Sequence, residues 1–512
     1  MRLKVKMLGF QAGGKHIVII DDEVAAKLDV RSLDRVVIRH NDREVVAIVN
    51  VAKFFPGDFI GLYDEVANIL KIKEEDTVEV APAGVPDSLL YIRRKLMGAR
   101  LNAREIRKIV EDIVDGYISD VELTALVTAL HYQHMSLEEA LNFTKAMVET
   151  GEMLRLPSKI VLDKHSLGGV PGDKTSMIVV PIIASLGYII PKTSSRAITS
   201  AAGTADRMEV LAPVSLSVEE MKEVVLKTNG CLVWGGALRL APADDIIIRV
   251  EYPLGIDPFF IPSILAKKLA VGSTHVVLDI PTGRGAKVPT ISEARNLAHD
   301  FIQLASRLGM KMEAAVTYGE QPIGHAIGPA LEAREALITL MGKGPKDLID
   351  KATSIAGILL EMAGNTNGRE LALKALQSGK AEKKMREIIE AQGGDPNIKP
   401  DDIKVGDKTF TYYAETDGFV FWINNQALAL IGKTAGAPKD KGAGIYVYVK
   451  LGEKVKAGDP LFTIYAESSV KLQAAEKIVD EMKPIAIGRG IKAKMLLEKI
   501  DTKPEKVVML ER

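Results

Sequence analysis

The amino-acid sequence predicts a multidomain α/β protein. A helical bundle and an α/β domain with a mostly parallel central sheet are flanked by an N-terminal β-rich domain and a C-terminal α+β domain of barrel-sandwich-like type. The length of 512 residues leaves room for about three or four domains. The spacing of apolar residues changes along the chain from alternating to helical, then to short apolar runs between long amphipathic segments, and back. Hydrophobic residues make up 47% of the chain and charged residues 26%, as in ordinary globular proteins.

Residues 1–84 carry the alternating pattern of short strands, for example at 35–39, and Pro56-Gly57 supplies a turn. The Pro-rich stretch 81–86 is typical of a linker. From residue 87 the period is helical, and three capping-box patterns place an oxygen-bearing side chain three residues before a Glu. These patterns are Asn102…Glu105, Ser119…Glu122 and Ser136…Glu139. We therefore expect a helical bundle over 87–150.

Residues 159–395 alternate short apolar strands with longer amphipathic helices, which implies a largely parallel sheet covered on both faces. The strand candidates are 160–162, 189–190, 275–280 and 314–317. After a turn at 393–396, strand-like patterning returns. Residues 449–460 resemble the hammerhead of biotinyl carriers, but no modifiable lysine occupies a hairpin tip. We expect 396–512 to be a C-terminal domain with a structural role.

The formal net charge is zero, which excludes a nucleic-acid binder that works through bulk positive potential but allows one small anion site. The N-terminus lacks the apolar core of a signal peptide, and no run of 18 apolar residues occurs. We expect a cytoplasmic protein without membrane partners. The single cysteine, Cys231, is expected to be a small core residue, and the scattered histidines predict no metal site.

The densest chemical signal is the stretch 163–176, which follows a strand and precedes a helix predicted at 177–187. It combines lysines, hydroxyls and glycines with a helix N-terminus, which together suit a phosphate-sized anion. A glycine-rich turn without a ligand is the plainer alternative. The stretch is not a Walker loop, because Asp173 separates Gly172 from Lys174, and the Gly-Lys-Thr at 432–434 is expected to be a chance match.

A second donor-rich loop, 193–206, follows the next strand. Parallel strands place such loops at one edge of the sheet, where open α/β folds bind their ligands. Serine, threonine and arginine at this density predict a substrate with two negative groups, or with one phosphate and one polar ring.

These segments resemble the signatures of the thymidine/pyrimidine-nucleoside phosphorylase family. The matching stretches are Lys164-His165-Ser166-x-Gly168-Gly169-Val170, Ser195-Arg196…Gly203-Thr204-Ala205-Asp206…Glu209, Ala241-Pro242-Ala243-Asp244, 263–270 and 328–335. The resemblance implies a nucleoside-phosphorylase-type fold. In that fold, 87–150 with about 245–270 form the helical domain, and 159–244 with about 271–395 form the phosphate-binding α/β domain.

The N-terminal domain, Pro171 and 233–237 are similar to one archaeal branch of the family. That branch converts a nucleoside 5′-monophosphate and phosphate into free base and ribose 1,5-bisphosphate. The base-binding Thr-Ala-Thr of the pyrimidine-nucleoside enzymes is missing from 249–257. The resemblance therefore implies AMP, and CMP or UMP, as substrates, with inorganic phosphate as co-substrate and no cofactor or metal.

The resemblance also implies roles for individual residues. Asp257 aligns with the proton donor to the base, and Lys267 is a possible substrate contact. Inorganic phosphate is expected on Lys164, Ser166, Ser176 and Thr204. The nucleotide is expected on Gly169, Ser195, Arg196, Ala197, Ile198, Thr199, Ser200, Thr204, Ser263 and Lys287. The family's habit of dimerising through the helical domain implies a homo-oligomer, to which residues 1–84 add a higher assembly.

Three of these residues also have a plainer reading. Asp257 alone suggests a helix N-cap, Lys287 a solvated loop charge, and Lys267 with Lys268 a solvated helix face. Three functions remain as alternatives: a thymidine or pyrimidine nucleoside phosphorylase, an anthranilate-type phosphoribosyltransferase and a non-catalytic scaffold. The Gly-Thr-Gly-Gly-Asp stretch of the phosphoribosyltransferase is absent from the sequence, and no Asp-Glu metal pair occurs within 159–395.

Overall fold

The computed structural model describes residues 1–197 and 200–488. Its first domain is a closed barrel with the strand order β1-β5-β2-β4-β3-β6, in which alternating residues such as Leu3 and Val5 point into the core. Closure leaves no open sheet edge. The elements are β1 (Arg2–Met7), β2 (Ile17–Asp21), α1 (Asp22–Leu28), β3 (Arg35–His40), β4 (Arg43–Ala52), β5 (Phe59–Leu62), α2 (Asp64–Leu70) and β6 (Thr77–Pro82).

A helical bundle follows, with α3 (Asp87–Leu96), α4 (Ala103–Val114), α5 (Asp120–Gln133) and α6 (Leu137–Glu149). The sequence prediction of three capping boxes is confirmed at the starts of α4, α5 and α6. In each, the Asn or Ser side chain accepts from the Glu backbone N–H, and the Glu side chain accepts from the cap residue.

The central region carries the predicted parallel sheet. Strand β7 pairs in parallel with β10, β10 with β11, and β8 with β9, and an isolated parallel bridge between Val161 and Ile189 joins the two groups. The elements are β7 (Leu162–Ser166), α7 (Thr175–Ser185), β8 (Ile190–Ser194), α8 (Thr204–Met208), α9 (Val218–Thr228), β9 (Gly230–Trp234), α10 (Pro242–Leu254), α11 (Phe260–Ala270), β10 (His275–Thr282), α12 (Ile291–Arg307), β11 (Lys311–Tyr318), β12 (Ala326–Ile327), α13 (Pro329–Leu340), α14 (Lys346–Met362), α15 (Gly368–Gln377) and α16 (Lys380–Ala391).

The elements of this region differ in places from the sequence prediction. Strand β7 begins at Leu162 and continues to Ser166, so part of the predicted anion loop is strand. Helix α7 begins at Thr175 rather than 177, because the Thr175 backbone N–H donates to Asp173 Oδ1 at 3.2 Å. Strand β9 was not predicted; its buried Cys231 is a core residue, as expected.

Helices α10 and α11 return to the bundle and share its apolar core. The ring of Phe259, just before α11, meets that of Phe143 on α6 edge to face, with centroids 5.0 Å apart. The segment between α10 and α11, which contains Asp257, is thereby fixed to the bundle.

Up to residue 488, where the described part of the chain ends, the last domain has two sheets, ordered β12-β15-β17-β13 and β16-β14-β18. Its elements are β13 (Lys408–Tyr413), β14 (Gly418–Ile423), α17 (Asn425–Thr434), β15 (Gly444–Val447), β16 (Lys454–Val455), β17 (Pro460–Ala466), α18 (Ser469–Met482) and β18 (Ile485–Gly488). Because β12 comes from the central region, this domain is tied to the α/β core. The Gly-Lys-Thr at 432–434 lies inside α17 and is not a phosphate loop.

Candidate active site

Two lysines and two carboxylates meet beside β7 and β10. Lys164 Nζ lies 3.7 Å from Asp279 Oδ2, and both side chains are buried. Lys351 on α14 adds a second ammonium, 2.9 Å from the same Asp279 oxygen and 3.8 Å from Asp173 Oδ2. The cluster therefore holds two buried cations in place through carboxylates before any ligand arrives.

Asp173 connects this cluster to the predicted phosphate-binding hydroxyls. Ser166 Oγ donates to Asp173 Oδ2 at 3.1 Å, and Ser176 is buried in the first turn of α7. Burial alone would raise the pKa of Asp173, but the charges of Lys164 and Lys351 hold it well below its usual range. Asp173 is therefore a carboxylate that organises the loop.

Arg207 joins this loop to the second one. Its Nη1 donates to the Asp173 carbonyl at 2.6 Å and to Thr204 Oγ1 at 3.3 Å, and its Nη2 donates to the Ala202 carbonyl at 2.7 Å. Glu332 on α13 forms an ion pair with the same guanidinium. Thr204, which is predicted to contact both inorganic phosphate and the nucleotide, therefore lies where Arg207 connects the two loops.

The loop from Ser195 is shaped by Asp206, whose Oδ2 accepts from the Ala197 N–H at 2.7 Å and the Gly203 N–H at 2.8 Å. Arg196 pairs with Glu209 at 2.6 Å and lies over the Trp234 ring. This guanidinium holds the pKa of Glu209 at about 2.

Arg196 is thus already engaged within the protein, although the family resemblance implies that it binds the nucleotide. Ser200 Oγ donates to the Ala202 carbonyl at 2.8 Å. The predicted contacts Ile198 and Thr199 lie outside the described residues.

Gly169 and Lys287 approach each other closely. Gly169 has φ +87°, and a Cβ there would lie 3.0 Å from the Lys287 backbone nitrogen, so only glycine fits. Lys287 Nζ lies 4.3 Å from the centroid of the Phe260 ring on α11. Lys287 therefore contacts both the helical domain and residues 168–172 between β7 and α7, which we call the glycine loop. It also borders a cavity of about 190 Å³.

Asp257 lies at the surface between α10 and α11, on the helical-domain side. It is not the N-cap of α11, since Phe259 occupies that position. Partial loss of water raises the pKa of Asp257; Lys287 opposes this rise, and Asp244 adds to it. A carboxyl group with a raised pKa close to Lys287 has the property that a proton donor requires.

Helix α11 carries the remaining predicted residues. Ser263 lies one turn before Lys267, whose Nζ is 2.6 Å from Asp244 Oδ2, and Lys268 Nζ is 2.7 Å from Asp163 Oδ2. The plain reading of Lys267 and Lys268 as a solvated face is wrong. Buried carboxylates on α10 and β7 face this side of the helix and draw both ammonium groups inward.

His165, on β7, is surrounded by positive charge. Burial and then the neighbouring Lys268, Lys192 and Lys164 hold the pKa of its ring well below the ordinary histidine value, so the imidazole is neutral. Lys192, on β8, is itself buried, and its own pKa is lowered by burial and Lys268.

Five residues of this site escaped the sequence analysis as individual candidates. They are Asp173, Lys192, Arg207, Asp279 and Lys351. Asp173 lies inside the first of the two stretches that were singled out, and Lys192 and Arg207 directly flank the second. Asp279 sits in an otherwise apolar strand, and such an isolated charge is the signal that would have found it.

Within the described residues, no group of three or more His, Cys, Asp or Glu side chains is arranged to hold a metal ion. The helices of that same part of the chain include none long and apolar enough to cross a membrane.

Comparison with known families matches three segments of the chain. Residues 90–151 match the helical bundle domain of the glycosyl transferase family, and 158–382 match its a/b domain. Residues 419–486 match the pyrimidine nucleoside phosphorylase C-terminal domain. The helical bundle and the α/β region of the structure therefore correspond to the two parts of one family.

Two relatives named AMP phosphorylase are similar over nearly the whole chain. That of Thermofilum pendens is 62% identical over 512 residues, covering 100% of both chains. That of Thermococcus kodakarensis is 52% identical over 493 residues, covering 95% of this chain and 98% of its own. A solved anthranilate phosphoribosyltransferase from Thermus thermophilus covers 59% of this chain and 98% of its own, with 20% identity and a TM-score of 0.49.

Proposed function

Because the chain belongs to the family of the AMP phosphorylases, we propose that it catalyses the reversible phosphorolysis of nucleoside 5′-monophosphates. In this reaction an oxygen of inorganic phosphate bonds to C1′ of the ribose. The bond from C1′ to the base breaks, its electron pair leaves with the base, and the products are free base and ribose 1,5-bisphosphate. The chain is thus a pentosyltransferase.

The charged cluster supports the phosphate half of this proposal. Lys164, Ser166, Ser176 and Thr204 hold the inorganic phosphate, with Lys351 as a second cation beside them. Because Asp173 and Asp279 already fix both ammonium groups, little reorganisation accompanies phosphate binding. The protein's task is to place a phosphate oxygen under C1′.

The leaving base needs a proton, because negative charge builds on its ring as the bond to C1′ breaks. Asp257 gives its proton to a ring nitrogen and regains it from water. The observation that carries the proposal is the position of this raised-pKa carboxyl near Lys287, which in turn touches the glycine loop. A general acid of this kind contributes a factor of about 10²–10⁴.

The nucleotide occupies the space between these groups, on Gly169, 195–200, Thr204, Ser263 and Lys287. AMP is the first substrate expected, with CMP and UMP after it. We further propose a cytoplasmic homo-oligomer. Met97 and Tyr132 on the helical domain are 87% and 77% exposed, which supports a dimer through this domain, and the barrel adds a higher assembly.

One assay tests the proposal. Base release is measured with AMP, CMP, UMP and their nucleosides, with and without phosphate, and ribose 1,5-bisphosphate is followed by ³¹P NMR. We expect phosphate-dependent release of adenine from AMP. Release from uridine or thymidine but not from AMP would instead identify a nucleoside phosphorylase.

The proton donor is tested in the same assay. Asp257→Asn should lower kcat for AMP by about 10²–10⁴-fold with little change in KM, because the amide cannot supply the proton. Asp300→Asn, at an exposed position on α12, is the matched control. An unchanged kcat in Asp257→Asn would remove this residue from the mechanism.

A further inference from the structure

The C-terminal domain forms one wall of the cavity beside Gly169 and Lys287. On one side the cavity is lined by the glycine loop, Ser200 and residues 285–287. On the other side it is lined by Asn425, Gln426 and Ala429 of α17. A domain that the sequence analysis assigned a structural role therefore faces the same space as residues assigned to the nucleotide.

The lining residues of α17 belong to its first turns. The cap residue Asn424 accepts from the Ala427 N–H at 3.1 Å. The backbone N–H groups of Asn425 and Gln426 have no hydrogen-bond partner within residues 1–197 and 200–488. The start of this ten-residue helix thus presents two free donors and the positive end of its dipole.

The Asn425 side chain is a second and independent sign of a ligand. The residue is 1% exposed, and its Nδ2 donates to the Gly319 carbonyl at 2.8 Å. Its Oδ1 is buried and accepts no hydrogen bond from any described residue. A buried amide oxygen without a donor is unfavourable, so a bound molecule with a hydroxyl would complete this position.

The positive charge of Lys287 and of the α17 N-terminus indicates which other chemical group the bound molecule carries. Lys287 forms no ion pair with a carboxylate among the described residues, and its ammonium rests over the Phe260 ring. A free lysine and a helix N-terminus beside one cavity favour a phosphate group. In the proposed reaction, inorganic phosphate lies on Lys164 and the base lies by Asp257, which leaves the 5′-phosphate for this cavity.

We propose that the first turn of α17, together with Lys287, binds the 5′-phosphate of the nucleotide, and that Asn425 Oδ1 accepts from a hydroxyl of the same ribose. This inference rests on the proposed function and goes beyond it. It makes the C-terminal domain the part of the chain that distinguishes a nucleotide from a nucleoside.

The test adds one negative charge to the helix start. Gln426 is exposed, and an acidic residue in a first turn suits a helix, so Gln426→Glu should fold normally. Gln473→Glu makes the same change at an exposed position of α18 in the same domain. The binding of AMP, adenosine and inorganic phosphate is measured by calorimetry for wild type and both variants, and base release is measured in parallel.

We expect Gln426→Glu to weaken AMP binding by about tenfold through charge repulsion, without changing adenosine or phosphate binding, and Gln473→Glu to match wild type. Equal AMP affinity in all three proteins would overturn the inference, and so would a loss confined to inorganic phosphate. If wild type binds AMP but releases no adenine with phosphate, the proposed function fails, and the binding comparison still decides the subsite.

Discussion

Glu251 provides the sharpest test of the electrostatics around the proton donor. Glu251 lies on α10 and is 3% exposed. Its Oε1 accepts a hydrogen bond from the Phe259 N–H at 3.2 Å, and this bond connects the two ends of the segment that contains Asp257. Burial raises the pKa of Glu251 from 4.5 to about 8, and the charge of Asp257 adds to this rise.

This shift predicts how folding stability depends on pH. Because the folded pKa is raised, the contribution of Glu251 is fully present below pH 4.5 and is lost as the pH rises through about 8. Each pKa unit corresponds to about 1.4 kcal/mol, so the loss amounts to about 5 kcal/mol. Glu251→Gln keeps an acceptor for the Phe259 N–H but does not titrate, and it should remove most of this loss.

The assay is guanidinium unfolding at pH 5 and pH 9, combined with hydrogen exchange of the peptide that contains Phe259. Wild type should lose more stability than Glu251→Gln between the two pH values, with faster exchange at this amide. Glu223→Gln, at an exposed position on α9, should follow wild type. Asp257→Asn should also reduce the loss, because it removes one cause of the shift. Identical pH dependence in wild type and Glu251→Gln would refute the reasoning.

Two further substitutions test the phosphate cluster and the glycine loop. Lys164→Ala should raise KM for phosphate and lower kcat/KM by about 10²–10³-fold, because it removes one positioned cation; normal phosphate kinetics would show that the cradle is assigned wrongly. Gly169→Ala should raise KM for AMP several-fold, because the new Cβ would lie 3.0 Å from the Lys287 backbone nitrogen. Gly168→Ala bears the same positive-φ strain, at +75°, but meets no atom within 4 Å. Equal KM values in these two variants would show that contact with Lys287 is unimportant.

The features that could be predicted from the sequence are those that depend on residues close together along the chain. The capping boxes of α4 to α6 need only residues three apart, and the parallel sheet follows from alternating strands and helices. The glycine loop and the 193–206 loop were found for the same reason. The missed strand β9 is short and consists largely of core residues, and no alternation marks it.

The buried ion pairs could not be predicted from the sequence, because the two residues of each pair are far apart along the chain. Lys268 meets Asp163, and Lys351 meets Asp279, only after the sheet has formed. A helical pattern alone places such lysines in water, where most lysines are found. The same limit hid the role of α17, which reaches the site because β12 pairs with β15 of the C-terminal domain.

The whole chain has a formal net charge of zero, and so does the group of four charged side chains at the proposed phosphate site. There Lys164 and Lys351 form ion pairs with Asp173 and Asp279. Burial alone would lower the pKa of Lys351, but the charges of Asp173 and Asp279 raise it above its ordinary value. The two carboxylates therefore keep Lys351 charged. A site built in this way attracts phosphate through the placement of its cations rather than through an excess of them.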